Sequence, residues 1–313
     1  MGTSAVIARV PAGVLLVDKP AGITSHDVVA RARRIFNTRK VGHAGTLDPM
    51  ATGVLVLGIN SGTRLLGHLT ASQKTYLGTI RLGAASSTDD REGELGPLTN
   101  ASDLHADEIE AALEELRGEI LQRPSSVSAI KIDGRRAYAR VRDGQVVDIP
   151  ERNVTVLNLE VVHMDSHGDF LDIEVNVTVS SGTYIRAIAR DLGEALGVGG
   201  HLIALRRTSV GAFGQEVAHD LDLLESAADP WVHSLSLAQV AALTWPIFDV
   251  GVDQSAAVRM GQRIPWPDVC TQPVIALVDH EGILAAIAQK VDERCAYIAV
   301  FPSGAQSPST LWM

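Results

Sequence analysis

Residues 41–55 read Val-Gly-His-Ala-Gly-Thr-Leu-Asp-Pro-Met-Ala-Thr-Gly-Val-Leu, and they constrain the fold more than any other stretch of the chain. One carboxylate, Asp48, sits between glycines just ahead of an apolar run. The ring of Pro49 crowds the preceding backbone, which pushes Asp48 toward β or polyproline geometry and away from helix. Gly42, Gly45 and Gly53 permit positive φ or close backbone approach. The stretch therefore reads as a tight turn feeding a buried strand, with a carboxylate that a polar ligand can reach. Asp-Pro in isolation is only a turn signal, so the chemical meaning of Asp48 depends on its company.

The surrounding pattern mixes strands and helices. Residues 13–17 (Gly-Val-Leu-Leu-Val) predict a short buried strand. Thr24 and Asp27 stand at capping-box spacing ahead of a helix whose apolar face is Val28, Val29, Ala32, Ile35 and Phe36. Residues 53–59 predict a buried strand, 63–69 a short helix, 74–82 a strand carrying Tyr76, and 84–104 a polar, acidic loop. An amphipathic helix is predicted over 106–117, ending at Gly118. Residues 154–162 and 170–179 alternate as paired strands. A helix follows over 184–196, then a helical or turn segment over 201–207, a connecting helix over 229–243, and short strands at 274–278, 283–288 and 297–301. Without regular βα alternation, the expected class is α+β with a mixed, largely antiparallel central sheet and flanking helices.

At 313 residues the chain is long enough for one large domain and a small one. No apolar run approaches a membrane span, and Arg9 and Pro11 interrupt the N-terminal apolar residues, so a cytoplasmic protein without a signal peptide is expected. Cys270 and Cys295 form no metal or redox spacing and are expected as buried free thiols. The net charge of −10 argues against a nucleic-acid partner until its distribution is considered. Residues 1–210 hold 23 of the 27 Lys and Arg but 25 of the 37 Asp and Glu. Their basic residues cluster as Arg31, Arg33, Arg34, Arg39 and Lys40; as Lys131, Arg135, Arg136, Arg140 and Arg142; and as Arg186, Arg190, Arg206 and Arg207. Phosphate binding follows the local field rather than the total charge, so RNA remains a candidate ligand. Each cluster taken singly is equally well read as a solvated helix face.

The chain has no phosphate-binding Gly-x-x-x-x-Gly-Lys-Ser/Thr loop, no Gly-x-Gly-x-x-Gly and no Gly-x-Ser-x-Gly elbow. Its histidines show no ligand spacing with cysteines or paired carboxylates, so neither a metal nor a cofactor is expected. A reaction that needs no cofactor fits these absences.

The string Gly-His-x-Gly-Thr-Leu-Asp-Pro-x-Ala-Thr-Gly-Val-Leu resembles the catalytic motif of the TruB family, bacterial tRNA pseudouridine synthases acting on the T-loop uridine at tRNA position 55. The likeness is strong over residues 12–215. It implies a pseudouridine synthase fold and makes Asp48 the catalytic residue that meets a flipped-out uridine. Attack on ribose C1′, attack on the uracil ring and removal of a sugar proton are all compatible with it. The segment Ser181-Gly182-Thr183-Tyr184-Ile185-Arg186 resembles the family's Gly-Thr-Tyr-Ile-Arg motif, which implies that Arg186 pairs with Asp48. Lys74-Thr75-Tyr76 resembles a Lys-x-Tyr strand whose tyrosine stacks on the base. By the same resemblance Tyr184 and Leu205 belong to the base pocket, Lys19-Pro20 supports it, and His43 fills the space the base vacates.

Residues 122–150 resemble an RNA-clamping insertion, with Lys131, Arg135 and Arg136 as clamp residues; Ser125 stands where the family usually has a second proline. The resemblance further implies domains over 1–244 (catalytic) and 245–313 (a PUA-like β domain), with the tRNA T arm as partner. A monomer with no protein partner is expected. Two rival readings are a non-catalytic tRNA-binding or tRNA-folding protein on the same scaffold, and a glycoside hydrolase. The second needs two carboxylates flanking one bond, whereas the motif region offers only Asp48.

Overall fold

The computed structural model describes residues 11–125, 131–132, 135–136 and 150–302. Gly134, Ala137, Tyr138, Arg140 and Arg142 of the expected clamp lie outside the described residues, and of Lys131, Arg135 and Arg136 only the backbone is described. The described strands, in chain order, are β1 (Gly13–Lys19), β2 (Val41–His43), β3 (Thr52–Ile59), β4 (Lys74–Leu82), β5 (Gly118–Gln122), β6 (Lys131–Ile132), β7 (Arg135–Arg136), β8 (Arg152–His167), β9 (Phe170–Val179), β10 (Gly200–Val210), β11 (Phe213–Gly214), β12 (Ile247–Val250), β13 (Val274–Asp279), β14 (Leu284–Val291) and β15 (Arg294–Val300).

The main sheet runs β1-β3-β10-β4-β9-β8-β5, with β2 on β3 and β11 on β10. Its described pairings are antiparallel except β3 with β10. Burial explains the two kinds of strand pattern. In β1, Leu15 and Val17 enter one apolar cluster and Val14 and Leu16 the other; in β3, Leu55 and Leu57 enter the first and Val54 and Val56 the second. Both faces of these strands are covered, so residues 14–17 and 54–57 are unbroken apolar runs. Strands β4 and β9 alternate buried with half-buried residues, the mark of one covered face.

The first cluster lies under helices Ser25–Ile35, Ala106–Glu114, Ile185–Ala195 and Leu221–Ser226. The second is shared by helix Leu237–Thr244, the far face of β1 and β3, and Ala276, Val278, Leu284 and Ile287 of a second sheet ordered β12-β13-β14-β15. Among the described residues no helix is long and apolar enough to cross a membrane.

Two predicted elements differ. Residues 201–207, expected as helix or turn, lie in the 11-residue β10 at the centre of the sheet. The spacing of Leu202, Leu205 and Arg206 imitates one helical turn, but pairing with β3 and β4 on either side decides the outcome. The single helix expected over 229–243 is broken. A 3₁₀ turn at Pro230–His233 gives way to Leu235, which bridges Val14. Ser236 then caps a fresh helix, with Gln239 reaching back to its N–H at 2.8 Å. Cys295 is buried as expected, whereas Cys270 is only half-buried.

Candidate active site

Asp48 is presented by the turn between β2 and β3, and several bonds hold that turn. The Ser25 hydroxyl, buried at the start of helix Ser25–Ile35, donates to Leu47 O (3.0 Å) and accepts from Leu47 N (2.8 Å). Ala51 N donates to Asp48 O (3.1 Å), and Gly22 N donates to Pro49 O (2.8 Å). The fully buried Lys19 donates its ammonium to Pro20 O (2.8 Å), Ile23 O (2.7 Å) and Pro49 O (3.3 Å). Burial, reinforced by Arg207 and opposed by Asp48, lowers the Lys19 pKa to about 8. Gly53 leaves the turn with φ +98°, and a Cβ there would meet Arg207 O at 2.2 Å. Only glycine fits this close approach of β3 to β10.

Arg186, in the first turn of helix Ile185–Ala195, places Nε 3.0 Å from Asp48 Oδ2. The guanidinium is buried, and Nη1 reaches Asp90 Oδ2 and Thr88 O, each at 3.1 Å. The Asp48 side chain remains 38% exposed. It faces a cavity of ≈280 Å³ whose lining includes Tyr76, Tyr184, Arg186, Leu205 and Arg152. Burial raises the Asp48 pKa above its ordinary value; Arg186 and Lys19 oppose the rise, and Asp90 adds to it. The arrangement offers a partly desolvated carboxylate, one cation shared between two acids, and two aromatic rings beside a space the size of a small planar ligand.

Five of the residues picked out in the sequence thus meet around one cavity: Asp48, Tyr76, Tyr184, Arg186 and Leu205. His43 lies in β2 outside that lining, its ring edge-on to His26 at 5.6 Å, and burial lowers its pKa first, with His26 and Arg207 adding. Lys131 and Arg136 pair across β6 and β7, as do Ile132 and Arg135, a two-stranded element separate from the main sheet.

Asp90 is the residue that sequence reasoning missed. It sits in the polar stretch expected as a plain loop, yet it is buried, and its Oδ1 accepts from Thr88 Oγ1 (2.6 Å) and Glu92 N (3.0 Å). Its surroundings are tied to β10 by Arg91 N to Leu202 O and Leu202 N to Asp89 O, both 3.0 Å. Nothing in an acidic stretch distinguishes the one carboxylate that folds inward. The site therefore holds a second acid beyond Asp48, but one whose two oxygens are engaged by Arg186, Thr88 and Glu92. It has no face turned to a scissile bond as a hydrolase would require.

The first and third basic clusters differ from one another in the structure. Arg31 pairs with Asp222 (2.8 Å) and Glu225 (2.7 Å), while Arg33, Arg34, Arg39 and Lys40 stay exposed. In the third group Arg190 pairs with Asp89 and Asp191, and Arg206 with Asp18. Arg207 is fully buried, donating to Val54 O (2.7 Å) and Gly45 O (3.1 Å). The arginines of this third group are engaged within the fold rather than offered to phosphate. Among the described residues no cluster of three His, Cys, Asp or Glu side chains is placed to hold a metal ion.

Residues 33–185 match the N-terminal domain of the TruB family pseudouridylate synthases, and residues 186–244 match the tRNA pseudouridylate synthase B C-terminal domain. The chain is 52% identical to the tRNA pseudouridine synthase B of Corynebacterium efficiens over 92% of its length and 95% of the relative's. It is 55% identical to that of Mycolicibacterium paratuberculosis over 87% and 94%. Among solved structures, a chain of the archaeal box H/ACA sRNP Nop10–Cbf5 complex superposes with a TM-score of 0.69 at 25% identity, over 97% of this chain and 90% of that one. With its motif residues gathered around one cavity and its relatives matched almost end to end, the chain belongs to the TruB family of pseudouridylate synthases.

Proposed function

We propose that the chain isomerises a uridine of tRNA to pseudouridine, acting on the T-loop uridine at position 55 with Asp48 as the catalytic residue and Arg186 as its cation. The observation that carries this reading is the Asp48–Arg186 contact of 3.0 Å at the wall of a cavity flanked by Tyr76 and Tyr184. The isomerisation balances within the substrate. The N1–C1′ bond breaks and a C5–C1′ bond forms; C5 gives up its proton and N1 ends protonated.

The cavity suits a base taken out of its stack. Extrusion costs a few kcal/mol, and stacking on an aromatic ring returns about 1–3 kcal/mol per base. Tyr76 is paired in β4 with Val177 and Arg207 and supplies such a ring, and Tyr184 and Leu205 line the same cavity. Desolvation makes Asp48 more basic and more nucleophilic than a solvated carboxylate, while the Arg186 guanidinium keeps it ionisable. His43 is assigned to the gap left in the T loop, and Lys131, Arg135 and Arg136 to the RNA backbone. Residues 245–313 are assigned to a PUA-like domain touching tRNA away from the site. The working unit is a cytoplasmic monomer, a state that light scattering tests directly.

Incubating the pure protein with an unmodified tRNA transcript, without added metal or nucleotide, should yield one pseudouridine per tRNA. A transcript with cytidine at the T-loop position should yield none. Pseudouridine formed elsewhere in that second transcript would overturn the site assignment, and product from Asp48→Asn at the wild-type rate would overturn the mechanism.

A further inference from the structure

The helix that carries Arg186 begins without a side-chain N-cap: Tyr184 occupies the cap position in extended geometry, and no side chain closes the first turn. A helix end without a side-chain cap lacks the local restraint that capping puts on the entry angle. The restraint comes from outside. Gln122, fully buried at the end of β5, donates Nε2–H to Tyr184 O (3.1 Å) and accepts from Tyr184 N at Oε1 (2.8 Å). A side-chain amide used in both directions fixes the peptide on each side of Tyr184, which an aliphatic residue cannot do.

The partner of Gln122 across the β5–β8 ladder is Arg152. Its guanidinium lies 4.7 Å from the centroid of the Tyr184 ring, and its Nη2 donates to Gly182 O. Gly182 itself holds φ +93°. The same turn is tied to β8 a second time, by Thr155 N to Ser180 Oγ and Ser180 N to Thr155 O, each 2.8 Å. One strand rung, Gln122 and Arg152, thus grips Tyr184 by backbone and by ring, two residues ahead of the arginine that meets Asp48.

We propose that Gln122 and Arg152 are positioning residues for the reaction, acting through Tyr184 to set the ring against the substrate base and the entry angle of the Arg186 helix. This rests on Tyr184 belonging to the base pocket, and it goes beyond that assignment. Gln122 touches no reacting atom. Arg152 reaches the cavity wall, and its guanidinium carbon lies over the Tyr184 ring. A cation–π contact of this kind holds an aromatic side chain in one rotamer, and a ring held in place loses less entropy when a base stacks on it.

The test is a double-mutant cycle read by single-turnover rate and by tRNA dissociation constant. Arg152→Ala should lower the single-turnover rate about tenfold and leave the dissociation constant within about twofold. In a Tyr184→Leu background the same change should cost less than about twofold more, because its target is gone. Gln122→Glu, which keeps the acceptor for Tyr184 N–H but sets an oxygen against Tyr184 O, should show the same rate loss. Because Gln122 is buried its variant can fail to fold; the half-buried Arg152 then decides alone. Rate losses of Arg152→Ala and Tyr184→Leu that simply multiply would overturn the proposal. So would an Arg152→Ala that binds tRNA more weakly, with its log–log salt slope reduced by about one, at an unchanged rate, since that marks a phosphate contact. A Tyr184→Leu enzyme with a wild-type rate would instead remove the base-pocket assignment and this proposal with it.

Discussion

Two Asp–Arg pairs, one beside the main sheet and one at the end of β13, are built from the same groups and are opposite in character. Asp279, at the end of β13, has Oδ2 2.6 Å from Arg259 Nη2, and its Oδ1 accepts from Glu281 N and Ile283 N, both 2.9 Å. Burial alone would raise its pKa, but Arg259 and the two backbone donors outweigh burial and hold it below the ordinary 3.8. Asp48 meets its arginine at 3.0 Å and shares it with Asp90, and its pKa stands above 3.8 because burial wins. A carboxylate saturated with donors is a strut. A carboxylate given one divided cation keeps its lone pairs for a substrate. The number of donors, not the presence of an ion pair, separates the structural acid from the reactive one.

Asp48→Asn tests the reactive member and should have the largest effect. Turnover should fall at least about 10⁴-fold with tRNA affinity unchanged, measured by single-turnover pseudouridine formation and by filter binding. The stability sign is also set. Because the Asp48 pKa is raised in the folded state, the folded protein favours the proton, and the associated stability is present below pH 3.8 and lost as pH rises through the higher folded value. The variant should therefore melt no lower than wild type at neutral pH, and a thermal shift below wild type would contradict the assignment of burial as the dominant cause.

Arg186→Ala should come next, lowering turnover about 10²- to 10³-fold with a tRNA dissociation constant changed by less than about threefold. A loss confined to affinity would show that the arginine binds RNA rather than steadies Asp48. Because this change strands the buried Asp90, it should also cost about 3–5 kcal/mol of stability, so rates need normalising to folded protein by circular dichroism.

The ease of reading these pairs from sequence follows the same division. The meeting of Asp48, Tyr76, Tyr184, Arg186 and Leu205 around one cavity was legible because each sits in a dense local motif, even though Leu205 lies in a strand where helix or turn was expected. Asp90 and Gln122 were harder, since their partners are backbone groups or side chains far along the chain, such as Tyr184 O and Arg186, and backbone partners leave no compositional trace. The same blindness explains β10. Arg206 and Arg207 look like a solvated face, but Arg207 is satisfied by the carbonyls of Val54 and Gly45 and so tolerates the centre of a sheet. The α+β class, the paired strands β8 and β9 and the capped helix Ser25–Ile35 came through because burial and local capping alone determine them.

Asp90→Asn sharpens the comparison by giving Asp48 sole use of the cation. Asp90 raises the Asp48 pKa, so neutralising it should shift the acidic limb of the rate profile to lower pH. Turnover requires the ionised carboxylate, so the rate climbs with pH through the Asp48 pKa, and the climb should begin earlier in the variant. At the plateau the rate should fall about tenfold, because Arg186 Nη1 exchanges a charged acceptor for a neutral one. A limb that stays in place, or moves to higher pH, would mean that Asp48 does not govern it.

Asp279→Asn closes the series with the smallest effect on catalysis and a clear effect on folding. The pair lies in the second sheet, away from the cavity lining, so turnover per folded molecule should stay within about twofold of wild type. Stability should fall by about 3 kcal/mol at neutral pH, the low end for breaking such a pair, because Arg259 retains some water. In the wild type this contribution is present above pH 3.8 and disappears as pH drops through the lower folded value, the reverse of Asp48. Urea melts of the wild type and the variant should therefore converge in acid. If they stay apart there, Asp279 is holding its turn by shape and not by charge, and the contrast between the two acids loses its electrostatic basis.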